Sequence, residues 1–241
     1  RKYLLCYDQG EVTTYTQEDG LFSNAVRTIS VCEDGSILVS GTGGVSVIQN
    51  DRVTACYGRE DGLVNEDILT VTEGFRHELV LGSDGDGIYV VDGSAVSRIG
   101  LEDGLRSEVI LRIRHDPVEE LYWIITSNSI AYLRGEKVTT VDGFPYSNNF
   151  DLYFDDDGRL WILSSNGVYV VNRDAMLANG EIPYTLYDFS CGLPCVATAN
   201  SFSQLDPDGN LYIAGSTGVC SVNINDDVTH YGRVRLSVPF L

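Results

Sequence analysis

A unit of about 42 residues, repeated along nearly the whole chain, constrains the fold more than any other feature. Glu18-Asp19-Gly20-Leu21, Glu60-Asp61-Gly62-Leu63 and Glu102-Asp103-Gly104-Leu105 place their glycines at positions 20, 62 and 104, a spacing of 42 each time. A degraded Asp142-Gly143-Phe144 follows after 39 residues, and Cys191-Gly192-Leu193 after 49. Each unit also carries an acidic or Gly turn, an apolar run such as Leu160-Trp161-Ile162-Leu163, a Gly/Ser/Asn turn, and a second apolar run such as Val168-Tyr169-Val170-Val171. Self-similarity at a fixed period marks one supersecondary unit that cannot bury its apolar face alone and stacks on its neighbours.

Each unit offers four strands. The first carries an apolar residue nine positions past the loop glycine: Ile29, Val71, Ile113 and Leu152. The fourth is short, as in Arg52-Val53-Thr54-Ala55, Ala95-Val96-Ser97-Arg98, Lys137-Val138-Thr139-Thr140 and Val228-Thr229-His230-Tyr231. Short β-branched and aromatic runs punctuated every 8–12 residues indicate an all-β sandwich or propeller, and the period selects the propeller. The expected fold is therefore an all-β β-propeller of four-stranded antiparallel blades over residues 1–232. It holds five complete repeats, near 15–56, 57–98, 99–138, 139–186 and 187–231, and half a blade at 1–14. Such an arc fits within a larger seven-bladed wheel, and by itself it leaves sheet edges unpaired. The extra length of the fourth unit falls in residues 172–180, the only stretch with helix-forming character, read here as a loop excursion. Residues 233–241 leave the repeat and read as a linker or the start of a β-sandwich.

Composition excludes several classes. Tyr is abundant at 14 against a single Met, a balance that suits strands. A net charge of −19 repels phosphates, so nucleic acid is not an expected partner, and neither is an anionic membrane face. No apolar run is long enough to span a bilayer, so no direct membrane insertion is expected of these residues. The chain starts on Arg1, which reads as a fragment with targeting and anchoring segments removed.

Residues 15–231 resemble the two-component-regulator propeller repeats of bacterial sensors. The usual unit of that family runs Asp-Gly-Leu, Asn, Ile-x-x-Ile, Asp-x-x-Gly, Leu-Trp-Ile-Gly-Thr and Gly-Leu. The fourth unit, with Asp157-Gly158-Arg159-Leu160-Trp161-Ile162, matches it best. The fifth has Tyr212 in place of Trp, and the third replaces the acidic turn by Val118-Glu119-Glu120. The resemblance implies an extracytoplasmic, ligand-sensing domain of a membrane receptor. It also implies a histidine kinase or diguanylate cyclase output that is absent from these residues.

In a propeller the strand four-to-one loops and the strand two-to-three turns share one face and ring the channel mouth. The loops supply Phe22, Asn24, Asn65, Arg106, Tyr146, Asn148 and Asn149 as candidate ligand contacts. The turns supply Asp84, Asp86, Asn128 and Asn166, with Ser83, Ser127 and Ser165 beside them. Their hydrogen-bonding groups and aromatic faces suit a small extracellular ligand, a sugar or a peptide. The competing explanation is local, since turns recruit Asn and Gly for positive φ and side-chain caps.

No cofactor or metal is expected. Asp84-Gly85-Asp86-Gly87 and Asp206-Pro207-Asp208-Gly209 lack the spaced ligands and closing Glu of a calcium loop and read as hairpin turns. Trp123 and Trp161 share one strand-two position and read as packing between blades. Propellers do host lyases and glycosidases. Here, however, His77 and His115 fall at strand one-to-two turns of the opposite face and His230 in an outer strand, and Asp84 with Asp86 is the only close carboxylate pair on the loop face. Catalysis therefore ranks below sensing and below a protein-interaction scaffold, and a homodimer is compatible with either. Of the six cysteines none has zinc spacing; Cys191 and Cys195 could close a local disulfide, though buried strand thiols are the simpler reading.

Overall fold

The computed structural model describes residues 3–145 and 148–226. A hairpin comes first, β1 (Leu4–Asp8) and β2 (Glu11–Tyr15). The first blade is β3 (Val26–Val31), β4 (Ile37–Gly41), β5 (Gly44–Gln49) and β6 (Arg52–Tyr57). The second is β7 (Ile68–Glu73), β8 (Leu79–Ser83), β9 (Ile88–Asp92) and β10 (Ala95–Ile99). The third is β11 (Ile110–Asp116), β12 (Leu121–Thr126), β13 (Ile130–Arg134) and β14 (Lys137–Thr140). The fourth is β15 (Asn149–Phe154), β16 (Arg159–Ser164), β17 (Gly167–Asn172) and β18 (Tyr184–Tyr187). The fifth shows β19 (Gln204–Leu205), β20 (Asn210–Gly215) and β21 (Gly218–Asn223). Its expected fourth strand at 228–231 and the tail 233–241 lie outside the described residues. Every sheet is an antiparallel meander in chain order, so the expected all-β propeller is the observed fold.

The Asp-Gly-Leu element has a separable reason for each residue. Asp19, Asp61 and Asp103 accept the backbone N–H three residues back, on Thr16 (2.9 Å), Gly58 (2.8 Å) and Gly100 (2.8 Å). The glycine then turns left-handed, with φ of 99° at Gly20, 112° at Gly62 and 108° at Gly104, where a side chain would be strained. The leucine turns inward and is buried: Leu21, Leu63 and Leu105, with Phe144 in the same role in the fourth unit.

Burial between neighbouring sheets holds the blades together. Leu38 and Val45 meet Leu63, Ile68 and Leu81 across the first and second blades. Trp123 and Ile125 meet Leu152 and Ile162 across the third and fourth. Trp123 is buried in this layer and Trp161 in the next, between the fourth and fifth blades, the packing role expected of them. The hairpin packs on the first blade through Leu4, Cys6 and Tyr15 against Leu21, Val39 and Ile48. Among the described residues, no core cluster spans the fifth blade and the hairpin. Apolar side chains are exposed on both, including Tyr7 at 75% and Val219 at 70%.

Residues 172–180 are not a plain loop. They form a helix, α1 (Arg173–Ala178), capped by the Asn172 side chain on Ala175 N–H at 3.2 Å and ended by a left-handed Asn179. Met176 is its buried anchor. The excursion fastens the fourth blade to the third: Arg173 reaches Asp116 at 3.3 Å, and the Asn179 amide donates to Thr140 O at 2.8 Å.

Candidate functional site

The innermost strands β3, β7, β11 and β15 each carry a register shift near their start, between Val26 and Thr28, Ile68 and Thr70, Ile110 and Arg112, and Asn149 and Asp151. Such bulges bend a strand and re-aim its side chains. Past each bulge, two polar or charged residues flank the apolar reference residue. They are Thr28 and Ser30, Thr70 and Thr72, Arg112 and Arg114, and Asp151 and Tyr153. The first two blades thus present small hydroxyls, and the next two present large charged groups.

These strands line a central cavity of about 600 Å³, with Arg27, Arg112, Arg114, His115, Tyr153 and Phe202 among its walls. A second cavity of about 590 Å³ opens toward the Asp-Gly-Leu face and includes Thr42, Asp84, Val109 and Asn200. The two share Val26, Arg27, Arg112 and Phe202, so they adjoin along these residues as one channel.

The channel wall is an ion cluster. Arg114 grips Asp151 with two parallel bonds, Nε to Oδ1 at 2.8 Å and Nη2 to Oδ2 at 2.7 Å, the bidentate geometry of a strong pair. Arg112 Nε adds a third at 3.2 Å. Tyr153 donates to the Ser203 carbonyl at 2.6 Å and lies beneath the Arg114 guanidinium, 4.7 Å from its ring centre. Arg112 stacks on Phe202 at 4.0 Å and donates to the carbonyls of Leu111 and Ser201. Burial alone would raise the Asp151 carboxyl, but Arg114 and Arg112 outweigh it and hold it below the usual range. For Arg114, burial works downward and Asp151 more than offsets it. About a third of the Arg114 side chain (35%) still faces the channel. Arg27 is exposed there and has no ion pair among the described residues. The walls can thus offer guanidinium N–H donors and aromatic faces to an oxygen-rich ligand.

His115 departs from its expected place at a turn. It sits in β11 opposite Tyr122, lines the channel, and packs edge-on against Phe75 with ring centres 3.9 Å apart. Burial pushes its imidazole below the ordinary value, and its Nε2 has no hydrogen-bond partner among the described residues.

Of the described loop-face residues singled out from sequence, only Asp84 lines this channel. Asp86 turns away to Arg98 at 2.9 Å and to the Tyr89 hydroxyl, so the two carboxylates do not share a site. Asn24 accepts from Gln17 N–H at 3.0 Å, and Asn65 accepts from Asp67 N–H at 2.9 Å while donating to Asp84 O. Arg106 pairs with Asp142 at 2.5 Å, and Asn128 donates to Arg106 O at 3.3 Å. Asn166 N–H bonds Ser164 Oγ at 3.1 Å. Asn148 takes a left-handed φ of 50°, and Asn149 is buried at the start of β15. Phe22 covers Gly43 and Gly58, and borders a separate groove with Arg59 and Glu66. Tyr146 lies outside the described residues. Local turn chemistry accounts for most of these side chains. Sequence reasoning missed Arg27, Arg112, Arg114, Asp151 and Phe202; the readable signal was charge on a strand whose counterparts in other units carry Thr and Ser.

Residues 143–166 match the family model described as two component regulator propeller, on the unit whose sequence fits the repeat best. Those residues carry one two component regulator propeller repeat. No curated protein matches this propeller by sequence. Among solved structures it is similar to the extracellular domain assigned to the hybrid two component system BT3049 of B. thetaiotaomicron. That match has a TM-score of 0.71 and 16% identity, over 92% of this chain and 34% of the other. The extracellular domain of BT4673 from the same organism gives 0.68 and 13%, over 90% and 31%. Virginiamycin B lyase from Staphylococcus aureus gives 0.62 and 14%, over 94% and 79%. At these identities the likeness is one of fold. The propeller repeats described here span about a third of the length of the two sensor domains.

Proposed function

We propose that this chain is part of the ligand-sensing, extracytoplasmic propeller of a bacterial transmembrane signalling receptor, and that it is not itself an enzyme. The observation that carries the reading is the channel: a cavity of about 600 Å³ walled by the innermost strands, with the guanidinium groups of Arg27, Arg112 and Arg114 in its lining. The ligand class is a small extracellular molecule rich in oxygen acceptors, a sugar or a peptide, entering past Asp84 and Asn200. The likeness in fold to extracellular domains of two component systems supports the receptor setting. The output, a histidine kinase or diguanylate cyclase, belongs to another part of the receptor. Against catalysis, the Asp151 carboxylate is consumed by two arginines and the His115 Nε2 is buried beside Phe75.

The test is isothermal titration of the chain with a panel of oligosaccharides and short peptides, repeated with Arg114→Ala. Binding by one chemical class, weakened at least tenfold in the variant, supports the reading. A ligand that binds equally well to both proteins places the site elsewhere. A second reading, a protein-interaction face, is favoured by the exposed Leu5, Tyr7 and Val12 of the hairpin. It predicts an empty panel together with self-association or partner capture abolished by Tyr7→Ser; light scattering reads the homodimer.

A further inference from the structure

The fifth blade brings two distant thiols together. Cys195 is buried in the core between the fourth and fifth blades, and Cys220 of β21 packs on the same cluster. The Cys195 Sγ lies 2.6 Å from the Cys220 Sγ, well inside the separation of two unbonded sulfurs. The backbone explains the encounter. Cys220 pairs across the sheet with Ile213, and the Cys195 sulfur sits 3.6 Å from the Ile213 carbonyl. Two residues on, Ala197 bridges Gly215, which fixes the segment alongside β20. A Cβ at Gly215 would come within 3.2 Å of the Cys195 Cβ, so the missing side chain permits the approach. Cys191, the neighbour in sequence, is exposed and points its sulfur toward the Leu186 carbonyl. The other thiols, Cys6, Cys32 and Cys56, belong to the hairpin and the first blade.

We infer that Cys195 and Cys220 form a disulfide in the mature protein, stitching the loop of the fifth unit to β21. The oxidant is a protein disulfide or oxidised glutathione. One cysteine thiolate attacks it to give a mixed disulfide and release one thiol; the second cysteine then displaces the other thiol and closes the bond. The oxidant's sulfur–sulfur bond ends as two thiols that carry the two protons lost by the cysteines. Such bonds persist in extracytoplasmic compartments and are rare in the cytosol, so the bridge and the proposed location stand on separate observations that agree. Burial pushes the Cys220 thiol up to about 12, with the Cys195 sulfur adding to the rise, so the folded dithiol exchanges slowly.

The test is made on the full chain carrying Cys191→Ser, exported to a bacterial periplasm and blocked with iodoacetamide in denaturant without reductant. Chymotrypsin, cutting after Phe202 and Tyr212, separates the two cysteines. The expected result is a linked peptide pair that falls apart on reduction, with a gain of roughly 2 Da overall. Cys6, Cys32 and Cys56 carry the alkyl group in the same sample. Alkylation of both Cys195 and Cys220 overturns the inference. So does a Cys191–Cys195 link in the unsubstituted chain.

Discussion

The indole N–H of Trp161 donates to Asp155 Oδ2 at 2.7 Å, and both partners are buried. The carboxylate that receives it also ends the turn before β16, accepting from Asp157 N–H at 3.1 Å and Arg159 N–H at 2.8 Å. One side chain therefore closes the strand one-to-two turn and aims the tryptophan that packs between blades. The third blade repeats the arrangement with Trp123 and Asp116 at 3.0 Å. In the fifth, the Tyr212 hydroxyl reaches Asp206 at 3.3 Å.

Asp155→Ala leaves the indole and two backbone donors without their acceptor. At about 1–3 kcal/mol per buried orphan, partly relieved by water, the expected loss is about 2–4 kcal/mol. Urea unfolding read by tryptophan fluorescence measures it. Asp206→Ala, at a more exposed turn, costs less.

Gly167→Ala is expected to be among the most damaging single-methyl additions. Gly167 has φ 138°, and a Cβ there would lie 2.2 Å from the Tyr187 carbonyl oxygen of β18. Strain and the forced separation of β17 from β18 together cost on the order of 3 kcal/mol. Gly10→Ala, with φ 97° but open space around it, costs about 1 kcal/mol. Thermal melts of both variants check the ranking.

Acid should weaken the channel wall in a defined window. The Asp151 carboxyl is held below its ordinary value, so it contributes stability that is complete above the unfolded value near ~3.9 and lost as pH falls through the lower, folded value. Asp151→Asn removes that dependence. It also leaves Arg112 and Arg114 without their carboxylate, which costs about 3–5 kcal/mol at pH 7. The gap between the melting temperatures of the two proteins should narrow as pH falls below ~3.9.

Arg27→Ala separates binding from folding. Arg27 is exposed in the channel and holds no carboxylate among the described residues, so stability should change by less than about 0.5 kcal/mol. Affinity for the channel ligand should fall about tenfold, equivalent to about 1.4 kcal/mol. Calorimetry of ligand binding beside a thermal melt reads both.

Blade number, strand order and the burial of both tryptophans were legible because the repeat restates them in every unit. Reading the same unit several times averages out local drift, as with Tyr212 in place of Trp. What differs between units was harder to see. Arg112 and Arg114 depart from Thr70 and Thr72 at matched positions, but a charged residue within an apolar strand carries no label saying that it faces a channel. The Asn residues of the loops drew attention for their chemistry, and Asn24 and Asn65 are occupied in holding their own turns. The helix at Arg173–Ala178 showed in the helix-forming character of 172–180 but reads there as a loop excursion, since six residues are too few to show a period. The partner of Cys195 could not be read because the contact is made by sheet register, not by spacing.

The carboxylate-to-indole fastening has an evolutionary corollary. In the third, fourth and fifth units the turn, the clasp and the ring that it holds all come from one repeat, so duplicating or deleting such a coding unit changes the circumference without demanding compensation inside the others. Propellers built this way can vary bore width by recombination, while point substitution at positions such as 112 and 114 changes the chemistry of the bore wall.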